Sequence, residues 1–262
     1  MLTTRYVTGA PNWTDVAAPD LGPAVSFYGA LFGWEFRPAG AGDLGFFERD
    51  GATVAGCRRA APEQGPPSWT VYFRSPDARE TVRAAEQARG RVLVGPTPVL
   101  QEGVTAVLAD RAGAAYGIWQ PGRRGGLDRA GETGALCWAE LYTPDVAAAA
   151  AHYHAVLGLE TSALSFPGGT YTCVGPAGEG EAGVFGGLVP LAGDPVESEP
   201  HWLPYIAVDD VDAVAARVRE LGGEVRLPAT DVPGAGRLAR LADPHGARFA
   251  VLRPDPHTDG TD

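Results

Sequence analysis

The chain repeats itself. Trp13-Thr-Asp15-Val-Ala-Ala-Pro19-Asp20, followed by Phe27-Tyr28 and Gly33-Trp34-Glu35, returns 125 residues later as Trp138-Ala-Glu140-Leu-Tyr142-Thr-Pro144-Asp145, His152-Tyr153 and Gly158-Leu159-Glu160. A second set returns after 133 residues: Trp69 and Tyr72 with Trp202 and Tyr205, Asp110 with Asp243, Gly113 with Gly246, Pro121 with Pro254. The second copy is therefore eight residues longer between Glu160 and His201, in a glycine-rich stretch that reads as lengthened hairpin turns. A duplication of this length predicts two like domains, 1–121 and 133–254, joined by a glycine-arginine linker over 122–132. The polar tail 255–262 has little to bury and should fray.

Each half divides again into two copies of strand, helix and short strands. Asn12 to Val16 reads as a strand, and Asp20 caps a helix whose apolar face is Leu21, Val25, Tyr28 and Phe32, stopped at Gly33. Trp69 to Phe73 reads as the next strand and Asp77 to Arg89 as the next helix. In the second half, Val211, Val214, Ala215, Val218 and Leu221 share one helical face. Strands over 237–241 and 248–252 flank a tight turn at Asp243-Pro-His-Gly246. The result is an α+β fold of four βαβββ units.

Charge narrows the partners. With 21 basic against 32 acidic residues the net charge is −11, which offers neither the basic face of a nucleic-acid binder nor a polybasic membrane patch. Every basic residue is arginine, so lysine Schiff-base chemistry and lysine-anchored pyridoxal phosphate are excluded. Cys57, Cys137 and Cys173 form no CxxC pair and suggest neither disulfides nor a cysteine zinc site. No signal-peptide core or apolar run of about 18 residues is present, and a cytoplasmic protein is expected. GxSxG, P-loop and Rossmann glycine patterns are missing as well.

Four βαβββ units carrying PD-x6-FY-x4-GW and, near the end, DPxG resemble the vicinal oxygen chelate superfamily of glyoxalase I, bleomycin-resistance proteins and extradiol dioxygenases, most of all its two-domain actinobacterial members. The resemblance spans about residues 10–121 and 134–254. It implies that paired units form an open eight-stranded cup that holds a ligand on its concave face. It also implies metal ligands at set strand positions, and at these stand Trp13, Thr70 and Gly117 in the first half and Trp138, Leu203 and Ala250 in the second. Near Val54–Cys57 and Val184–Gly187 no carboxylate is offered. Indole, glycine and alanine cannot coordinate, so no metal and no cofactor are expected. His152 and His154, two apart on a helix, point about 200° apart and read as packing or surface residues. His201, just before a strand starting with Trp202, reads as a solvated loop residue, with a place at the cavity mouth as the alternative.

Strand alternation places Trp13, Asp15 and Ala17 on one face, and Trp138, Glu140 and Tyr142 on the equivalent face. Trp69, Tyr72, Trp202 and Tyr205 complete the candidate aromatic lining, although repetition in both halves is also what core packing requires. Asp15 and Glu140 are the candidate general acids or bases; the same pattern fits structural acceptors. Two readings follow. One is metal-independent binding of a small aromatic or polycyclic molecule, of the sequestering or resistance type. The other is a metal-free lyase, isomerase or cyclase of secondary metabolism working through Asp15 or Glu140. A third possibility is that one half binds while the other serves as scaffold. The expected partner is a small molecule, to a monomer or homodimer.

Overall fold

A computed structural model describes residues 2–40, 42–60, 65–166 and 169–255. The first half runs β1 (Pro11–Ala18), α1 (Leu21–Phe32), β2 (Glu35–Ala39), β3 (Leu44–Arg49), β4 (Ala52–Arg59), β5 (Ser68–Arg74), α2 (Ala78–Gln87), β6 (Arg91–Val99), β7 (Gly103–Ala109) and β8 (Ala115–Pro121). The second half repeats it as β9 (Leu136–Thr143), α3 (Val146–Leu157), β10 (Leu159–Phe166), β11 (Gly169–Pro176), β12 (Gly186–Pro190), β13 (His201–Ala207), α4 (Val211–Glu220), β14 (Glu224–Val232), β15 (Gly236–Ala242) and β16 (Arg248–Pro254). These are the four βαβββ units expected from the repeat. All of the expected tail but Asp255 lies outside the described residues.

The strands form two open eight-stranded sheets, each from one half. Their orders are β2-β3-β4-β1-β5-β8-β7-β6 and β10-β11-β12-β9-β13-β16-β15-β14. The first and last strands of each unit pair in parallel, Asp15 opposite Gly56 and Glu140 opposite Gly187. The hairpins between them are antiparallel. Most of the extra length of the second half lies in the eight-residue strands β10 and β11 and in residues 177–185, which include a 3-10 turn at Glu181–Gly183, and the rest lies in residues 191–200 before β13.

Local chemistry sets the helix ends. Asp20, Asp77, Asp145 and Asp210 all sit in extended backbone and accept first-turn amides, which assigns Asp20 and Asp145 the structural role expected of them. Gly33 (φ 70°) and Gly158 (φ 67°) end α1 and α3 in the left-handed region.

By contacts the chain forms two compact units. One comprises Met1–Trp13, Thr70–Leu127 and Trp138–Leu203, and the other Thr14–Trp69, Asp128–Cys137 and Pro204–Asp262. In the first, α2 packs against α3; in the second, α1 packs against α4. Each core is built around a tyrosine. Tyr28 touches the rings of Phe27, Trp34, Phe47, Trp69 and Phe249, and Tyr153 those of Phe73, Tyr116, His152 and Trp202.

Candidate functional site

The face of β9 predicted to carry Trp138, Glu140 and Tyr142 bears a connected polar network. On the opposite face Cys137, Ala139 and Leu141 are fully buried, whereas on this face Trp138 and Glu140 are partly exposed and Tyr142 is buried. The Glu140 carboxylate accepts the Tyr142 hydroxyl on Oε2 and the Tyr171 hydroxyl on Oε1, each at 2.7 Å. The Trp138 indole N–H donates to the same Tyr171 oxygen at 3.1 Å. Tyr171 reaches across from β11 because Gly187 lies beneath its ring; a Cβ at that position would overlap it. The Tyr142 ring stacks on the His201 imidazole, with centroids 5.2 Å apart and planes 14° from parallel. His201 in turn lies 3.4 Å from Glu197, whose side chain is fully buried. Trp138, Glu140, Tyr171 and His201 are partly exposed, so this network meets solvent.

The equivalent face of the first half is built differently. Trp13 is only 3% exposed. Its ring stacks on Trp119 at 4.9 Å, and the Arg124 guanidinium lies 5.8 Å from the Trp13 ring centroid, held by Glu102 at 3.0 Å. The position matching Trp119 in the second half is Leu252. Asp15, 8% exposed, pairs with Arg58 at 3.3 Å; the strand positions matching Ala17 and Arg58 are Tyr142 and Val189. Thus the aspartate faces a guanidinium where Glu140 faces two phenols.

The remaining aromatic candidates, Trp69, Tyr72, Trp202 and Tyr205, are all buried. Trp69 and Trp202 lie on the helix side, where their indole N–H groups donate to Tyr28 and Tyr153 at 2.8 Å. Tyr72 is buried with its ring over Gly117. Tyr205 is buried too, and its carbonyl accepts the Cys137 thiol. His152 packs in the core, as expected, against the Tyr116 hydroxyl at 3.0 Å. His201 is the first residue of β13 and not a loop residue. Burial holds the Cys57 and Cys137 thiols up at about 12, which leaves no nucleophilic thiolate there. Tyr171 and Glu197 are the members of the network that sequence reasoning missed. The one available signal was the alternation of β11, which sets Tyr171 and Cys173 on one face beside Gly187.

The positions that the fold family uses for metal do not fit a divalent ion. Trp13 is packed against Trp119, the Tyr72 ring covers Gly117, and the Trp138 indole offers only a donor, committed to Tyr171. Among the described residues no three His, Cys, Asp or Glu side chains gather to hold an ion.

Comparison with known proteins places these features. The profile of the Glyoxalase/Bleomycin resistance protein/Dioxygenase superfamily matches residues 135–251. CFP32 of Mycobacterium tuberculosis is 37% identical over 261 residues, covering 97% of this chain and 98% of its own. The anthracycline biosynthesis protein DnrV of Streptomyces peucetius is 37% identical over 271 residues, covering 95% and 94%. Among solved structures, the Mn(II)-bound glyoxalase of Novosphingobium aromaticivorans shares the fold with a TM-score of 0.63 at 17% identity, over 96% of this chain and 83% of that one.

Proposed function

The chain belongs to the glyoxalase/bleomycin resistance protein/dioxygenase superfamily, and from that premise we propose that it binds a small aromatic or polycyclic molecule without a metal. The proposed site is the second-half face lined by Trp138, Tyr142, Tyr171 and His201 around Glu140. One observation carries the reading: the carboxylate of partly exposed Glu140 is fixed by two phenols at 2.7 Å, beside the partly exposed rings of Trp138, Tyr171 and His201. Flat apolar surface with one oriented polar group is what a planar ligand bearing hydroxyls or carbonyls requires. The first-half face, already filled by Trp119 and Arg124, serves in this reading as scaffold, and binding is one ligand per chain. The name of DnrV, which refers to anthracycline biosynthesis, supports polycyclic aromatics of secondary metabolism as the ligand class.

A test is titration with quinizarin, a flat hydroxyanthraquinone, followed by calorimetry and tryptophan fluorescence. Saturable binding with one site per chain, weakened about tenfold or more by Trp138→Ala, is the expected result. No saturable binding of quinizarin or related flat polyphenols would sink the reading.

A second reading rests on Tyr171, which accepts from Trp138 while donating to Glu140. That arrangement can pass a proton from a bound molecule through the phenol to the carboxylate, the step a metal-free lyase, isomerase or cyclase needs. In this reading Glu140, and not the arginine-paired Asp15, is the base. Unchanged turnover by a Glu140→Gln variant would remove it.

A further inference from the structure

The residue pair at the edge of the network has its own chemistry. His201 Nδ1 lies 2.8 Å from the Glu199 carbonyl oxygen, an acceptor only, so Nδ1 carries a proton and donates it. The other ring nitrogen, Nε2, lies 3.4 Å from Glu197 Oε2. A neutral ring protonated on Nδ1 would leave the Nε2 lone pair 3.4 Å from a carboxylate oxygen whose side chain is fully buried. Protonating Nε2 turns that contact into an ion pair. Glu197 is held in place for this contact, because Asp194 Oδ1 accepts the amides of both Val196 and Glu197.

We infer that His201 and Glu197 form an imidazolium–carboxylate ion pair and are positioning residues, holding an imidazolium against Tyr142 so that its hydroxyl stays committed to Glu140. The inference rests on the binding reading above, since Tyr142 and Glu140 belong to that site. A cation stacked on the phenol face is attracted by the ring and draws electron density from its oxygen, which strengthens donation to a carboxylate. The groups bearing on His201 include Glu197 and the Glu199 carbonyl from residues 191–200, Tyr142 from β9, and Glu140 behind Tyr142. Glu197→Gln keeps the shape and removes the charge, so it separates the ion pair from simple packing.

The experiment is 15N-histidine NMR on the full chain between about pH 5.5 and 8.5, with His201→Gln to assign the resonance. In the wild type at pH 7 both His201 nitrogens should show the imidazolium signature. In Glu197→Gln the ring should be neutral and protonated on Nδ1, and affinity for quinizarin should fall about threefold to tenfold. A neutral His201 in the wild type, or the same ring state in both proteins, overturns the inference. A changed ring state with unchanged affinity overturns the positioning role. Should Glu197→Gln fail to fold, the wild-type titration decides alone. An imidazolium signature in a protein that binds no quinizarin would leave the ion pair standing while the aromatic-ligand reading falls.

Discussion

The Tyr28 hydroxyl donates to the Asp243 carboxylate at 3.1 Å, across 215 positions of sequence. The same Tyr28 oxygen accepts the Trp69 indole N–H, and Asp243 Oδ1 accepts the amides of His245 and Ala247 in its own turn. Tyr153, Asp110 and Trp202 repeat the arrangement at the matching positions of the other copy. The residues that recur after 125 and 133 positions are therefore joined by buried hydrogen bonds. Burial, reinforced by the neighbouring aspartate, raises both phenols well above their usual range and keeps them protonated as donors.

Tyr28→Phe removes one donor and one acceptor at once and leaves Trp69 and Asp243 buried without that partner. Urea unfolding should show a loss of about 2–4 kcal/mol, with Tyr153→Phe similar. A loss under about 0.5 kcal/mol would show that the triad contributes little.

His152 and Tyr116 stand where the other copy has Phe27 and Phe249 in edge contact. Burial lowers the His152 pKa from 6.5, against the smaller raising effects of the Ala88 carbonyl and Asp110. The sign follows: the unfolded histidine binds its proton first, so this contribution is complete above about pH 6.5 and is lost as pH falls toward the lower folded value. The double variant His152→Phe, Tyr116→Phe should flatten that part of the melting temperature profile between about pH 7.5 and 5. An unaltered profile would assign the acid sensitivity elsewhere.

Trp13 and Trp138, equivalent in sequence, should respond differently. Trp13→Ala opens a cavity beside Trp119 and is expected to cost about 3–5 kcal/mol in stability, with ligand affinity retained in the folded fraction. Trp138→Ala removes a partly exposed ring and should lower affinity with a smaller stability loss. Paired denaturant and calorimetric titrations decide; equal effects on binding would contradict a scaffold role for the first half.

Gly117→Ala drives a Cβ into the Tyr72 ring. The expected cost is about 1–3 kcal/mol, relieved in part when Tyr72 is also truncated to alanine. Strict additivity in the four-protein cycle would show that the ring does not press on this glycine.

Periodicity and punctuation alone determined the duplication, the βαβββ order, the aspartate caps and glycine stops, and the sharing of one strand face by Trp138, Glu140 and Tyr142. These are local properties, set by where successive Cβ atoms point and by which residues satisfy free helix amides. Alternation says which residues share a face but not which face meets the helices. Only the tertiary structure decided that Trp69 and Trp202 bond core tyrosines, because their partners lie 41 and 49 positions away. Likewise Trp13 is covered by Trp119 and Arg124, both more than a hundred residues further along the chain. Tyr171, His201 and Glu197 join Glu140 through strand register and one capped loop, long-range packing that no spacing in the sequence encodes.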